Sequence, residues 1–93
     1  MSQDIYNKAI ELVEKYKKAP RMYATDREAW MSMMFTILDV VDVRGIRVIQ
    51  QKHYPIYGNT YLNLDKPLED DWARTVADDV IILLRRCKLK AFS

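Results

Sequence analysis

The longest run of helically spaced apolar residues spans positions 25–43, TDREAWMSMMFTILDVVDV, and the rest of the chain has to cover it. Thr25 and Glu28 have the spacing of a capping box, in which each side chain hydrogen-bonds the backbone N–H of the other, so a helix is expected to begin at Thr25. The apolar positions that follow lie three or four residues apart and form one stripe: Ala29, Trp30, Met33, Met34, Ile37, Leu38 and Val41. We expect the helix to end near residues 42–44, with Gly45 in the left-handed conformation common after a helix C-terminus.

An amphipathic helix is also predicted before this central run. Its apolar stripe comprises Ile5, Tyr6, Ala9, Leu12, Val13 and Tyr16. Ser2 can cap its start, and the helix should end before Pro20 because the residue preceding a proline avoids the α region. Residues 20–24 are then expected to form a short corner in which Met22 and Tyr23 can tuck under the two helices.

The segment that follows Gly45 is ambiguous. Ile46, Ile49 and His53 have helical spacing, whereas the β-branched residues of IRVI also suit a strand; we favour a helix over residues 45–53. Residues 54–64, YPIYGNTYLNL, are rich in turn formers, and Gly58 with Asn59 predicts either a two-residue hairpin or an irregular loop.

A last helix is predicted to begin at Asp65, since Pro67 is tolerated in a first turn. Its expected buried stripe is Trp72, Val76, Val80, Leu83 and Leu84, widened by Ala73, Ala77 and Ile81. The fold class is therefore mainly α: a small bundle of three or four helices, with an irregular or hairpin segment before the last helix, in a single domain over residues 1–93.

Composition limits the function classes. The chain has 93 residues, a formal net charge of +2 and one cysteine, Cys87, so packing rather than disulfides must hold it together. The small net charge does not by itself indicate nucleic acid or an anionic membrane as partner. The first twenty residues alternate charged and apolar groups, unlike a signal peptide, and no run approaches the ~20 apolar residues of a membrane span. We expect a cytoplasmic protein.

Few residues offer catalytic chemistry. His53 is the only histidine; it can act as a general base, alone or with Asp79, but no nucleophile lies at a recognisable spacing from it. The acidic cluster Asp65, Glu69, Asp70 and Asp71 lacks the alternating ligands of a calcium loop and is better explained by helix capping. Cys87 follows two arginines but is more simply a small apolar residue of the last turn. We expect no cofactor, no metal and no enzymatic activity.

Binding to a partner is the function that the sequence favours. The candidate contact residues combine positive charge with tyrosine, a composition typical of interface hot spots: Arg44, Arg47, Lys52, Tyr54, Tyr57 and Tyr61. The tyrosines can equally seal the lower end of the core. Tyrosine interleaved with arginine and lysine can also hold single-stranded nucleic acid, so a nucleic-acid-binding regulator is the alternative. Met22, Met33 and Met34 can pack in the core or seal a homodimer.

One segment carries a local resemblance. Residues 18–30, KAPRMYATDREAW, resemble the Pro-x-Met-Tyr-Ala sequence and Thr-capped helix of small bacterial proteins of the immunity type. Such proteins neutralise a cognate toxin without catalysis, which implies a partner toxin here. No binding residue carries over, because immunity proteins contact their toxins through variable surfaces. The near-neutral charge differs from the acidic character of immunity proteins directed against nucleases.

Overall fold

The computed structural model describes residues 4–57 and 62–92. Over these ranges the regular structure is entirely helical, which confirms the mainly α expectation. Five α-helices follow in order: α1 Asp4–Lys18, α2 Pro20–Thr25, α3 Arg27–Leu38, α4 Val43–His53 and α5 Val76–Phe92. Two short 3-10 helices span Pro55–Tyr57 and Trp72–Arg74. The expected Ser2 cap and the Gly58–Asn59 hairpin lie outside the described residues. No helix in the described ranges is long and apolar enough to cross a bilayer.

The start of the central helix lies one residue later than predicted. α1 ends at Lys18, as expected before Pro20, but the predicted corner is the six-residue helix α2, with Pro20 in its first turn. Asp26 caps α3, and its carboxylate accepts a hydrogen bond from the Ala29 N–H at 3.1 Å. The capping-box prediction was wrong, because the Thr25 hydroxyl instead donates to the Met22 carbonyl at the end of α2.

The central helix also ends earlier than predicted. α3 stops at Leu38, and a short turn leads to Asp42, whose carboxylate accepts from the Arg44 N–H at 2.8 Å and caps α4. The predicted C-terminal role of Gly45 was therefore wrong, since this glycine lies inside the first turn of α4. The helix favoured for residues 45–53 is present and begins two residues earlier, at Val43.

The last helix begins at Val76 rather than at Asp65. The intervening chain is held by polar contacts around Tyr54: its hydroxyl donates to Asp71 and lies 2.7 Å from the Thr75 hydroxyl. Thr75 Oγ1 also donates to the Asp71 carbonyl, and these bonds satisfy groups that a continuous helix would otherwise pair. The acidic first turn of α5 consists of Asp78 and Asp79 instead of Glu69 to Asp71.

Four aromatic rings form the centre of the core. Trp30 and Trp72 meet edge to face with ring centroids 4.9 Å apart, and Tyr16 packs against both at 5.5 and 5.7 Å. Tyr23 of α2 contacts Tyr16 at 5.3 Å. Indole N–H groups need partners when buried, and Trp30 donates to the Asn63 carbonyl at 2.6 Å. The cluster therefore joins α1, α2 and α3 to the segment before α5.

Candidate functional site

Helices α4 and α5 pack antiparallel and close together. Lys52 near the end of α4 contacts Asp79 in the first turn of α5, with Nζ and Oδ2 3.3 Å apart. At the other end of α4, a Cβ atom added to Gly45 would stand 3.2 Å from Leu83 Cδ2, inside the usual 3.5–4.0 Å spacing. From the first contact to the second, the residue number falls from 52 to 45 along α4 and rises from 79 to 83 along α5, so the two helices run in opposite directions. Gly45 thus serves the helix crossing, not a helix end.

A groove of about 700 Å³ lies between these two helices. Its floor is aliphatic and includes Val48, Ile49, Ile82 and Leu83. Four charged side chains also line it, namely the cations Arg44, Lys52 and Arg86 and the carboxylate of Asp79. The groove therefore combines an apolar floor with an excess of positive charge at its rim.

The floor of the groove is open to solvent. Val48 is 65% exposed and Ile82 is 48% exposed, although both are aliphatic. Leu89, which is 70% exposed, extends the same stripe because Ile82, Arg86 and Leu89 are spaced by four and three residues on α5. On α4, the residues Arg44, Val48 and Lys52 repeat every fourth position and share one face. Clustered exposed aliphatics rimmed by polar groups mark interaction sites more often than isolated ones do.

The two ends of the groove differ in charge. Arg44 and Arg86 stand at the end near Gly45, and neither makes an ion pair with any residue of the described ranges. We call this the arginine end. The opposite end, beside Lys52, carries Asp79, which we call the aspartate end.

The negative charge of the carboxylate at the aspartate end is already balanced by neighbouring side chains. Asp79 Oδ2 lies 2.7 Å from His53 Nε2 as well as 3.3 Å from Lys52 Nζ. The hydrogen bond with His53 lowers the pKa of Asp79 below its usual range, and Lys52 adds to this effect against the opposing influence of burial. α4 thus presents both His53 and Lys52 to Asp79.

The pairing of His53 with Asp79 bears on the catalytic hypothesis. A histidine held by a carboxylate can exchange a proton with a bound molecule if a reacting group lies beside it. His53 is half-buried at the edge of the groove, while the groove lining contains no serine, threonine or cysteine among the described residues. The groove lining therefore offers the pair no hydroxyl or thiol nucleophile among the described residues. The contact joins the end of α4 to the start of α5.

The candidate residues named from the sequence separate into distinct environments. Arg44 and Lys52 line the groove, and Arg47 is half-buried and engaged in a contact. Tyr57 is 40% exposed, and its hydroxyl donates to Glu69, which raises the tyrosine pKa. Tyr61 lies outside the described residues.

Tyr54 is a core residue rather than a surface contact. It is 9% exposed, and burial, followed by its hydrogen bond to Asp71, raises its pKa to about 12. Of the two interpretations left open for the tyrosines, Tyr54 follows the one in which the ring closes the core. The candidate set thus contributes two cations, Arg44 and Lys52, to the groove.

Sequence reasoning missed the α5 side of the site. Ile82, Arg86 and Leu89 lie opposite the buried stripe of that helix, and the signal for them was the presence of aliphatic residues on an otherwise charged face. Val48 gives the same signal on α4. Gly45 was noticed but was interpreted as a helix end.

A second cavity and the acidic residues give weaker evidence of a functional site than the groove does. A cavity of about 470 Å³ beside Tyr16 is lined by both Arg21 and Lys66 and both Glu69 and Asp70, so its charges balance. Within residues 4–57 and 62–92, no three potential metal ligands of the His, Cys, Asp and Glu types come together. Cys87 is half-buried on α5 and is not disulfide-bonded.

Comparison with known proteins does not place the chain in a family. No family model, no curated protein and no solved structure matches this chain.

Proposed function

We propose that this protein is a non-enzymatic binding module that holds another protein in the groove between α4 and α5. The observation that carries the proposal is the combination of an exposed aliphatic floor with an arginine end that makes no ion pair within residues 4–57 and 62–92. Val48 is 65% exposed and Ile82 is 48% exposed; this contact of aliphatic surface with water costs free energy, which a partner that covers both side chains would recover. Trp30 and Trp72 already fill the centre of the core, so core packing does not require Val48 or Ile82.

The finer form of the proposal is an immunity-type protein that neutralises a partner toxin. The local resemblance of residues 18–30 motivates it, and the groove supplies a contact surface elsewhere on the molecule. The basic rim suits a toxin surface that is acidic, in contrast with the acidic immunity proteins that cover basic nuclease sites. The lone thiol of Cys87 favours a reducing compartment such as the cytoplasm.

The test uses the product of the neighbouring gene as the candidate partner. Val48→Asp and Ile82→Asp each place a carboxylate in the floor and are expected to weaken the complex by about 30-fold or more, the effect of losing a hot-spot residue. Phe35→Asp on α3 is the matched control, because Phe35 is 49% exposed and lies outside the groove. Affinity is measured by calorimetry, and toxicity is scored in cells that co-produce both proteins.

Two outcomes separate the proposal from its failure. Loss of affinity and of protection with both groove variants, but not with Phe35→Asp, supports it. A complex that survives both substitutions contradicts the assignment of the groove as the contact surface.

Nucleic acid is the alternative partner, and the cations Arg44, Lys52 and Arg86 are the observation in its favour. Single strands bind through stacking on aromatic rings, yet the groove floor is aliphatic and Tyr54 is buried. Binding to a labelled oligonucleotide that weakens steeply with added salt, and that Arg44→Glu abolishes, would favour this alternative over a protein partner.

An enzyme that uses His53 with Asp79 is the remaining alternative, motivated by their 2.7 Å contact. An enzyme shows pH-dependent turnover, which His53→Gln removes while leaving partner binding intact. A pure binding module shows no turnover, and the same variant leaves its affinity for the partner unchanged.

A further inference from the structure

From the groove's dimensions and charge we infer that its occupant is an acidic amphipathic helix of the partner, about three turns long, with its C-terminal end at the arginine end. This inference rests on the proposed function, because it names the partner element that fills the same groove. It is drawn from the length of α4, the openness of the floor and the uneven distribution of charge.

Length sets the size of the occupant. α4 has 11 residues, and at a rise of 1.5 Å per residue it forms one wall about 16 Å long, which equals roughly three helical turns. A groove between two helices accepts a third helix whose apolar residues recur at every third or fourth position. On the opposite wall, the groove-lining residues of α5 together with Leu89 run from Asp79 to Leu89, a distance of about 15 Å at the same rise.

Exposure decides between a helix and a small molecule. A pocket for a small ligand encloses about 70–90% of that ligand, whereas the floor of this groove is open to solvent, with Val48 65% exposed. Leu89 lies beyond the groove lining yet continues its apolar face. A rod-shaped partner covers all of these side chains at once.

The charges that line the groove indicate that its occupant is negatively charged. Three cations line the groove against one carboxylate, and Asp79 is already paired with His53 and Lys52. The positive charge left over lies with the guanidiniums of Arg44 and Arg86, which make no ion pair within the described ranges. An occupant with Asp or Glu flanking its apolar stripe would pair with these guanidiniums.

Charge also sets the direction of the occupant. The C-terminus of a helix carries partial negative charge from its unpaired carbonyls, so it is favoured beside the two arginines. The aspartate end offers little positive potential because its lysine is paired with Asp79. The docked helix would then run parallel to α5 and antiparallel to α4.

A peptide panel on the full-length protein tests the inference. Three fluorescein-labelled peptides of about 12 residues are used, each constrained by a side-chain staple because isolated helices of this length are marginal in water. One has an apolar stripe flanked by Glu, the second has Lys in place of Glu, and the third contains the Glu peptide's residues in an order that destroys the stripe. Binding is followed by fluorescence anisotropy.

We expect the Glu peptide to bind about tenfold or more tightly than either of the others. Arg44→Glu with Arg86→Glu should reverse the preference in favour of the Lys peptide. The control is Arg74→Glu, an exposed arginine outside the groove, which should change nothing. Equal or tighter binding of the Lys peptide, or of the scrambled peptide, would overturn the inference.

Direction is read with a nitroxide attached to either end of the Glu peptide. A label at its C-terminus should broaden the amide resonances near Arg44 and Arg86 most strongly, and a label at its N-terminus those near Lys52 and Asp79. The reversed pattern overturns the inferred direction.

The same experiments keep this inference separate from the proposed function. If Val48→Asp disrupts the complex with the whole partner but no Glu peptide binds, the groove is the contact surface and the helical occupant is wrong. If the Glu peptide binds and Val48→Asp leaves its affinity unchanged, the peptide binds outside the groove and the inference is wrong, whereas the proposed function is still decided by the complex with the whole partner. A dimer in solution that Val48→Asp converts to monomer would identify a second copy as the occupant and overturn the inference.

Discussion

Replacing Gly45 with alanine distinguishes the observed fold from the one that the sequence predicted. As a left-handed residue after a helix, Gly45 would tolerate alanine poorly, with a loss of about 1 kcal/mol in the free energy of unfolding. Inside the first turn of α4, the same substitution gains up to about 1 kcal/mol, because alanine loses less chain entropy than glycine in a helix. The two positions therefore predict opposite signs.

The contact with Leu83 reduces this gain without cancelling it. The new Cβ would lie 3.2 Å from Leu83 Cδ2, the far end of a side chain that borders open space in the groove. A small rotation of that side chain costs about 0.5 kcal/mol. The net gain is then about 0.5 kcal/mol, which corresponds to a rise of about 2–4 °C in the melting temperature of a chain this size.

Thermal and urea unfolding followed by circular dichroism measure the effect. Repeating the substitution in a Leu83→Ala background removes the crowded contact, so Gly45→Ala should there gain nearly its full value of about 1 kcal/mol. A destabilisation of about 1 kcal/mol in both backgrounds would refute the helical position of Gly45. Destabilisation in the native background alone would show that Leu83 cannot move.

Three further outcomes follow from contacts described above. Asp26→Ala should lower the free energy of unfolding by about 1 kcal/mol, whereas Thr25→Ala should change it much less; equal losses in urea titrations would contradict the assigned cap. Because the pKa of Tyr54 is raised to about 12, the folded state holds this proton more tightly than the unfolded state, so stability should fall as pH rises from about 10 towards 12. Tyr54→Phe should remove that part of the alkaline loss, and tyrosinate absorbance should lose a late-titrating component. Asp79→Asn should cost about 1 kcal/mol at neutral pH, since it weakens the bond with His53. The lowered pKa of Asp79 means that this stabilisation is present above the usual aspartate range and is lost on acidification, so the variant and the native protein should converge in strong acid.

The buried stripes could be predicted from periodicity because apolar spacing depends on helix geometry alone. Trp30, Met33, Met34 and Ile37 are all buried as expected, and Leu38 is half-buried. These positions depend on a repeat of 3.6 residues, which does not require knowledge of the rest of the fold.

Helix ends were harder to predict, because several residues in a row can serve as caps. Thr25 and Asp26 are both good N-caps, and the choice between them depends on how α2 ends, with Thr25 bonded to Met22. The start of α5 depends on Thr75 and Asp71, which are held by Tyr54 from a distant part of the chain. Such long-range contacts leave no local pattern in the sequence.

The candidate site could be predicted only in part for the same reason. Arg44 and Lys52 were named from composition, but the groove arises from the antiparallel contact of α4 with α5. The sequence does not indicate that Gly45 meets Leu83, and it suggests the pairing of His53 with Asp79 only as a catalytic hypothesis. The tyrosines were harder to assign because burial of Tyr54 depends on partners 17 and 21 residues away.

Both indoles of the protein stand side by side in its interior, and neither lines the open face on which a partner would settle. Light emitted by Trp30 and Trp72 should consequently follow unfolding as a single event and remain almost unaltered when the groove is filled. A titration that relied on native emission would overlook a tight complex, whereas a dye carried by the incoming molecule would detect it.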